Sequence, residues 1–284
     1  MALRLDAILG FILSHPMNRG RPVAALSRFI DWQLRSRLAP EVVVPWIGDA
    51  RLAVRRGMTG ATGNIYCGLH EFTEMGFLLH LLGPGDLFLD IGANVGSYSV
   101  LAAKACGART IAFEPDPHTA GYLRRNLALN GLQSIARVEE VALGPSNGEI
   151  AFTVGRDTIN RVAAEGEEAR IVPVRRLDDI DGAGAPTMIK LDVEGFEEQV
   201  LEGAAAVLAA PSLLAIQTEL ETPEIRQRFA AFGFEAMYYD PFARELATRP
   251  FGYRVSNMLY IREPAAVRER LAAAPYRTLN GVRL

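Results

Sequence analysis

One segment limits the folds open to this chain more than any other. Leu87-Phe88-Leu89-Asp90-Ile91 runs directly into Gly92-Ala93-Asn94-Val95-Gly96, and an amphipathic stretch continues to Cys106. A nearly unbroken apolar run of strand length suits a strand covered on both faces, as in parallel sheets flanked by helices. A glycine directly after it permits the tight turn that passes such a strand into a helix. The alternation then repeats. Helical stretches lie at Glu71 to Leu82, Pro117 to Leu129 and Phe196 to Leu208, and strands at Arg109 to Phe113, Ala136 to Val141, Thr187 to Leu191 and Leu213 to Thr218. That order predicts βαβ units and an α/β fold. Phe234 to Tyr239 and Asn257 to Ile261 are expected to close the sheet as an antiparallel pair. Glu149 to Val154 and Ile171 to Val174 read as a hairpin.

The first part of the chain has a different character. Helical spacing extends to about residue 40, where Pro40 is the stop. Val42-Val43-Val44 and Leu52-Ala53-Val54 read as short β segments, with Gly57, Gly60 and Gly63 as breakers. Such a piece is too small to bury a core of its own. The expected division is therefore an extension over 1–68 and a main domain over 69–284.

Composition removes several classes of function. Thirty basic against 33 acidic side chains leave a net charge of −3, which gives no general drive toward nucleic acid or an anionic membrane. The apolar run from Ala7 to Leu13 falls far short of the ~20 residues of a membrane span. No small-x-small cleavage pattern follows it, so it reads as a helix packed on a cytoplasmic protein. Cys67 and Cys106 are too few for a disulfide framework and lack metal spacing. The oligomeric state is not encoded, and a homodimer stays open.

The chemistry begins at the glycine turn. Gly92 makes the turn, and Gly96 is expected to let a ligand approach the helix start. Glu114 ends the next strand, 22 residues beyond Gly92, where an acid can accept hydrogen bonds from the hydroxyls of a ribose. A dinucleotide site usually shows G-x-G-x-x-G, but here Asn94 stands at the middle glycine. Asp90, just before the turn, would repel a pyrophosphate and attract a cation. S-adenosylmethionine carries an ammonium and a sulfonium, so it fits better than NAD. An NAD(P)-dependent oxidoreductase is the rival reading.

Four blocks occur in order: Phe88 to Gly96, Phe113-Glu114-Pro115, Asn126-Leu127-Ala128-Leu129-Asn130-Gly131, and Ile189-Lys190-Leu191-Asp192-Val193-Glu194-Gly195-Phe196-Glu197. Together they resemble the FkbM family of S-adenosylmethionine-dependent methyltransferases, over about Glu71 to Ile261. The resemblance implies a Rossmann-like class I fold; with the elements read above, the expectation is a mostly parallel seven-stranded sheet with helices on both faces, plus a small N-terminal α+β extension that the motifs do not cover. It also implies O-methylation of a hydroxyl on a saccharide or secondary metabolite, with a small molecule or glycan as acceptor. By position it assigns Asp90, Gly92, Asn94 and Gly96 to the methionine end of the cofactor and Glu114 to its ribose. Glu71 matches a recurrent acidic position near the cofactor amino group, and Val141 and Ala142 fall where such enzymes contact adenine.

Asp192 and Glu194 lie just past the fourth strand, at the crevice where open α/β sheets bind ligands. A hydroxyl acceptor needs its proton removed; Asp192 is the first candidate for that base or for orienting the acceptor, and Glu194 the second. Lys190 shares a strand face with Asp192, and pairing would keep Asp192 ionised but make it a weaker base. A buried ion pair that merely fixes the strand end is the structural alternative. Glu219, ending the fifth strand, is placed to bind the acceptor, and Asn160, with Thr158 and Arg161, to hydrogen-bond a polyhydroxylated one. His70 is an alternative base, although a lone histidine there reads more readily as a surface residue. His80 and His118 fit helices, and no metal site is expected. The N-terminal region and the loop from Gly155 to Arg170 are extra to the core and are expected to shape the acceptor pocket. N-methylation, and a binding module that keeps the cofactor only for structure, remain as alternatives.

Overall fold

A computed structural model describes residues 5–153, 162–164 and 167–284. The extension comprises α1 (Leu5–Ser14), α2 (Pro22–Leu38), the antiparallel pair β1 (Val42–Pro45) and β2 (Arg51–Val54), and α3 (Thr59–Cys67). Where glycines suggested only breaks, α3 is a helix whose Ala61, Gly63, Tyr66 and Cys67 are buried. Tertiary packing overrides the poor propensity of that stretch. Next come α4 (Phe72–Leu81), β3 (Leu87–Ile91), α5 (Ser97–Val100) and β4 (Arg109–Phe113). The helix begun by α5 widens to a π-turn over Leu101–Ala105.

Proline at the first turn and an Asp116 cap start α6 (Pro117–Leu129); the Asp116 carboxylate accepts from the His118 and Thr119 amides. β5 (Ala136–Glu139) follows. The chain then leaves the main sheet, so that β6 (Ala142–Leu143), β7 (Gly148–Thr153) and β8 (Ala169–Arg175) form a small sheet in the order β6-β8-β7. The expected hairpin is the β7–β8 pair, and the strand expected over Ala136 to Val141 ends at Glu139 as β5, with β6 starting just beyond its expected end.

The second half contributes β9 (Met188–Leu191), α7 (Glu197–Glu202), α8 (Ala205–Ala209), β10 (Ala215–Thr218), α9 (Pro223–Ala231), β11 (Glu235–Asp240), β12 (Glu245–Ala247), β13 (Met258–Ile261), α10 (Pro264–Ala273), β14 (Thr278–Leu279) and β15 (Val282–Arg283). The helix expected from Phe196 to Leu208 is two helices. They break around Gly203, whose Cα packs so close to the Gly144 carbonyl that a Cβ would lie 2.1 Å from that oxygen.

The main sheet has the order β12-β11-β13-β10-β9-β3-β4-β5. The run from β10 to β5 is parallel, and β13 is antiparallel to both neighbours, as the closing pair was expected to be. Seven strands were expected; β12 is an eighth at the edge. It is turned back from β11 by Asp240, whose Oδ1 accepts from the Phe242 amide at 2.8 Å. Strand alternation explains the two cores. Leu87, Leu89 and Ile91 face α7, α8 and α9. Phe88 faces the other side, in a core that continues through α4 into Trp46, Trp32, Met17 and Ile12 of the extension.

The chain moves outward from β3 to β5 and then crosses back to β9. The carboxyl ends of β3 and β9 therefore diverge at the switch point, where such sheets hold ligands. Register places Asp90 beside Lys190. On the extension side, the Asn-x₃-Asn pair of α6 serves the free edge of β2. Asn130 Oδ1 accepts from the Arg51 amide at 2.8 Å, and Asn126 Oδ1 accepts from the Ala53 amide at 2.7 Å. Asn126 Nδ2 donates in turn to the Val95 carbonyl at 2.8 Å, tying the extension to the glycine turn.

Candidate active site

The turn after β3 is built by close approach. Gly92 has φ 79°, and a Cβ there would lie 1.8 Å from the Asp192 carbonyl oxygen. Gly96 has φ 89°, but a Cβ on it would meet Leu123 at 2.3 Å. The second glycine thus packs closely against α6. Asn94 takes the left-handed conformation at φ 51°, which asparagine tolerates better than most residues. Its side chain accepts from the Val95 amide at 2.7 Å, and its own amide donates to Glu114 at 3.0 Å. Glu114 also accepts from the Asp116 amide at 3.0 Å. Burial pushes the Glu114 carboxyl up to about 7 despite those two donors.

Glu114 borders a slot of about 590 Å³ whose walls include Phe113, Val141, Ala142, Phe152 and Phe196. The slot continues past Gly92, Asn94, Asp192 and Glu194 into a polar crevice of about 950 Å³. Asp90 lies beneath it, 1% exposed. Ser99 Oγ donates to Asp90 Oδ2 at 2.6 Å, while the buried Oδ1 has no partner. Burial raises this carboxyl, and the neighbouring Lys190 pulls it back down.

Glu71, half-buried just before α4, is held by side chains of other elements. Tyr98 Oη donates to it at 2.5 Å and Asn257 Nδ2 at 3.1 Å, and Gln217 Nε2 donates to the Tyr98 oxygen at 2.9 Å. Lys190 Nζ sits 4.9 Å from the centre of the Tyr98 ring and donates to Asp192 Oδ2 at 2.5 Å. Burial alone would lower its pKa, but Asp192, Glu71 and Asp90 together raise it, so Lys190 stays charged. The same pairing holds Asp192 below the usual carboxylate range against the opposing effect of burial.

Glu219, exposed on the rim, shares a hydrogen bond with Asp192. Partial desolvation, then the charges of Asp192 and Glu194, raise it to about 7. Carboxylate oxygens of Asp192, Glu194 and Glu219 lie within 4.8 Å of one another. They are the described residues whose oxygens would suit a hard cation, and nothing further points to an ion there.

His70 is not a surface residue. Its Nδ1 is buried without a partner, its ring meets Phe11 edge-on at 5.3 Å, and burial lowers its pKa. His80 is buried against the Tyr239 hydroxyl at 2.6 Å, and His118 lies on α6 beside Tyr122. Asn160, Thr158 and Arg161 lie outside the described residues. Sequence reasoning missed Tyr98 and Asn257, which donate to Glu71, and Gln217, which donates to Tyr98. It also missed Glu74, whose Oε1 accepts from the Ser256 and Asn257 amides at 2.6 and 3.0 Å. No residue type marks such supporting roles; only the proximity of Tyr98 to the glycine turn hinted at one.

A mostly parallel sheet of this order, with an acid closing the second strand and a glycine turn at the switch point, is a Rossmann-like fold of the class I methyltransferase type. The chain belongs to the methyltransferase FkbM domain family, whose model matches residues 90–246, more than half of the chain. It is 33% identical over 132 residues to a ribosomal protein L11 methyltransferase of Deinococcus radiodurans, covering 40% of this chain and 46% of that one. It is 25% identical over 144 residues to the hexuronic acid methyltransferase AglP of Haloferax volcanii, covering 49% and 59%. The chain thus spans about half the length of these curated relatives. Among solved structures, methyltransferase FkbM from Methylobacillus flagellatus aligns with a TM-score of 0.44 at 19% identity, over 62% of this chain and 43% of that one. No helix among the described residues is long and apolar enough to cross a membrane.

Proposed function

We propose that this protein is an S-adenosylmethionine-dependent methyltransferase that methylates a hydroxyl on a saccharide or secondary metabolite. The observation that carries the reading is the two-part crevice: an apolar slot bounded by Glu114 opens into a chamber lined by Glu71, Asp90, Asp192, Glu194 and Glu219, with Lys190 the one lysine or arginine among its described lining residues. That charge balance suits an ammonium and a sulfonium and penalises a diphosphate. The unpartnered Asp90 Oδ1 fits the same group, because a buried orphan acceptor lacks a donor.

Glu114 would hold the ribose, Val141 and Ala142 the adenine, and Asp90 and Glu71 the amino group. The bound cofactor supplies an electrophilic methyl group on a positively charged sulfur. Removing the acceptor proton falls to the chain. Asp192, bridged to Lys190, is a poor base and is better suited to orienting the acceptor. Glu219, whose carboxyl is raised to about 7 by partial desolvation and its acidic neighbours, is the better-matched base, and Asp192 keeps the orienting role. Glu194 borders the same space.

The name of the hexuronic acid relative favours a sugar acceptor; that of the ribosomal protein relative favours a protein, which keeps N-methylation as the second reading. The test is incubation with S-adenosylmethionine and panels of uronic acids, polyhydroxylated metabolites, amines and peptides, with products located by NMR. A methyl ether supports the proposal. Methylation of nitrogen alone would replace it.

A further inference from the structure

The donor crevice adjoins a second and larger cavity, of about 1770 Å³, built mostly by the extension. Thr59, His70, Glu71 and Ser256 line both, so the two spaces adjoin along these residues. The walls are apolar and aromatic, with Ile8 and Phe11 from α1, Tyr66 from α3 and Phe72 from α4. Phe11 packs edge-on against His15 and His70, both at 5.3 Å. Burial lowers both imidazoles, His15 to about 4, so neither brings positive charge at neutral pH.

The cations stand elsewhere on the lining. Arg56 and Arg254 are exposed, and neither has a hydrogen-bond or ion-pair partner among the described residues. Nearby arginines are engaged. Arg28 donates to Asn18 and the Tyr66 carbonyl, and Arg55 to Glu41 and Tyr122. Two unengaged guanidinium groups beside an apolar hollow complement a ligand with an apolar body and a compact, multiply charged anion. Phosphate can engage two planar forks at once. A bare saccharide would leave the apolar wall in contact with water.

We propose that this chamber binds the apolar part of a phosphate-bearing amphiphilic acceptor, with the phosphate on Arg56 and Arg254 and the acceptor hydroxyl reaching past the His70–Glu71 threshold toward Asp192 and Glu219. The choice of reacting group rests on the methyltransferase reading; binding does not.

The test titrates the full chain calorimetrically with dodecyl phosphate, below the concentration at which it aggregates. Butyl phosphate, inorganic phosphate, dodecanoate and neutral dodecyl maltoside serve as comparisons. Dodecyl phosphate is expected to bind, and butyl phosphate at least about a hundredfold more weakly, since each buried methylene is worth roughly fourfold. Dodecanoate and the maltoside should be weaker than dodecyl phosphate. Arg56→Ala combined with Arg254→Ala should reduce dodecyl phosphate affinity about tenfold or more, with maltoside binding unchanged. Both sites are exposed, so the double variant is expected to keep its circular dichroism.

No binding by any amphiphile would overturn the proposal, as would inorganic phosphate matching dodecyl phosphate. Dodecanoate or maltoside binding as tightly as dodecyl phosphate would overturn the phosphate assignment. A parallel titration with S-adenosylhomocysteine separates the two readings, because its failure removes the methyltransferase reading and leaves amphiphile binding standing.

Discussion

At the scale of single residues, the site is a set of carboxylates given different states by their neighbours. Asp192 is kept ionised by Lys190, whereas Glu219 is raised to about 7. Glu219 must lose its proton before it can accept one, so kcat should rise with pH through about 7. Glu219→Gln should abolish that rising limb and lower kcat by about 10²–10⁴-fold, with little change in S-adenosylhomocysteine affinity; a variant that keeps the limb would assign the base elsewhere. Gly92→Ala forces a side chain to positive φ and against the Asp192 carbonyl. It should destabilise the fold by about 2–4 kcal/mol in urea unfolding. Asp90, Gly92 and Glu114 were legible because strand-end acids and turn glycines mark their own positions. The close packing of Gly96 was not legible, because the leucine it meets comes from α6. Glu219 was visible, yet its proton affinity depends on Asp192 and Glu194, brought near only by the fold.

Among the elements, α6 links the extension to the glycine turn. Asn126→Ala leaves the Ala53 amide and the Val95 carbonyl without their side-chain partner. Each buried group so exposed costs about 1–3 kcal/mol. The variant should unfold at lower urea and show faster hydrogen exchange at Ala53; unchanged exchange there would mean that β2 is held by β1 alone. The hairpin β1–β2, α6 and the closing antiparallel pair follow periodicity and punctuation and could be read ahead. α3 could not, since Thr59-Gly60-Ala61-Thr62-Gly63-Asn64 has little helical preference and is held by burial, with the His70 ring packed against Gly63. The break at Gly203 was equally hidden, because its cause is a backbone sixty residues away.

For the whole molecule, the extension and the sheet share one core, with Trp46, Trp32 and Ile12 continuous with Phe88 and Met188. A fragment beginning at residue 69 would expose that face, so it is expected to lack a cooperative thermal transition. A sharp, native-like transition in the fragment would instead make 1–68 a separable appendage. The central claim concerns the charge of the crevice as a unit, an acidic wall around one lysine that selects a cationic nucleoside over a diphosphate. Its most direct test is calorimetric titration of the full chain and of Asp90→Asn with S-adenosylmethionine and, separately, NADH. Saturable S-adenosylmethionine binding, weakened about tenfold in the variant, with no heat from NADH, is the expected result. Saturable NADH binding without any for S-adenosylmethionine would contradict the account.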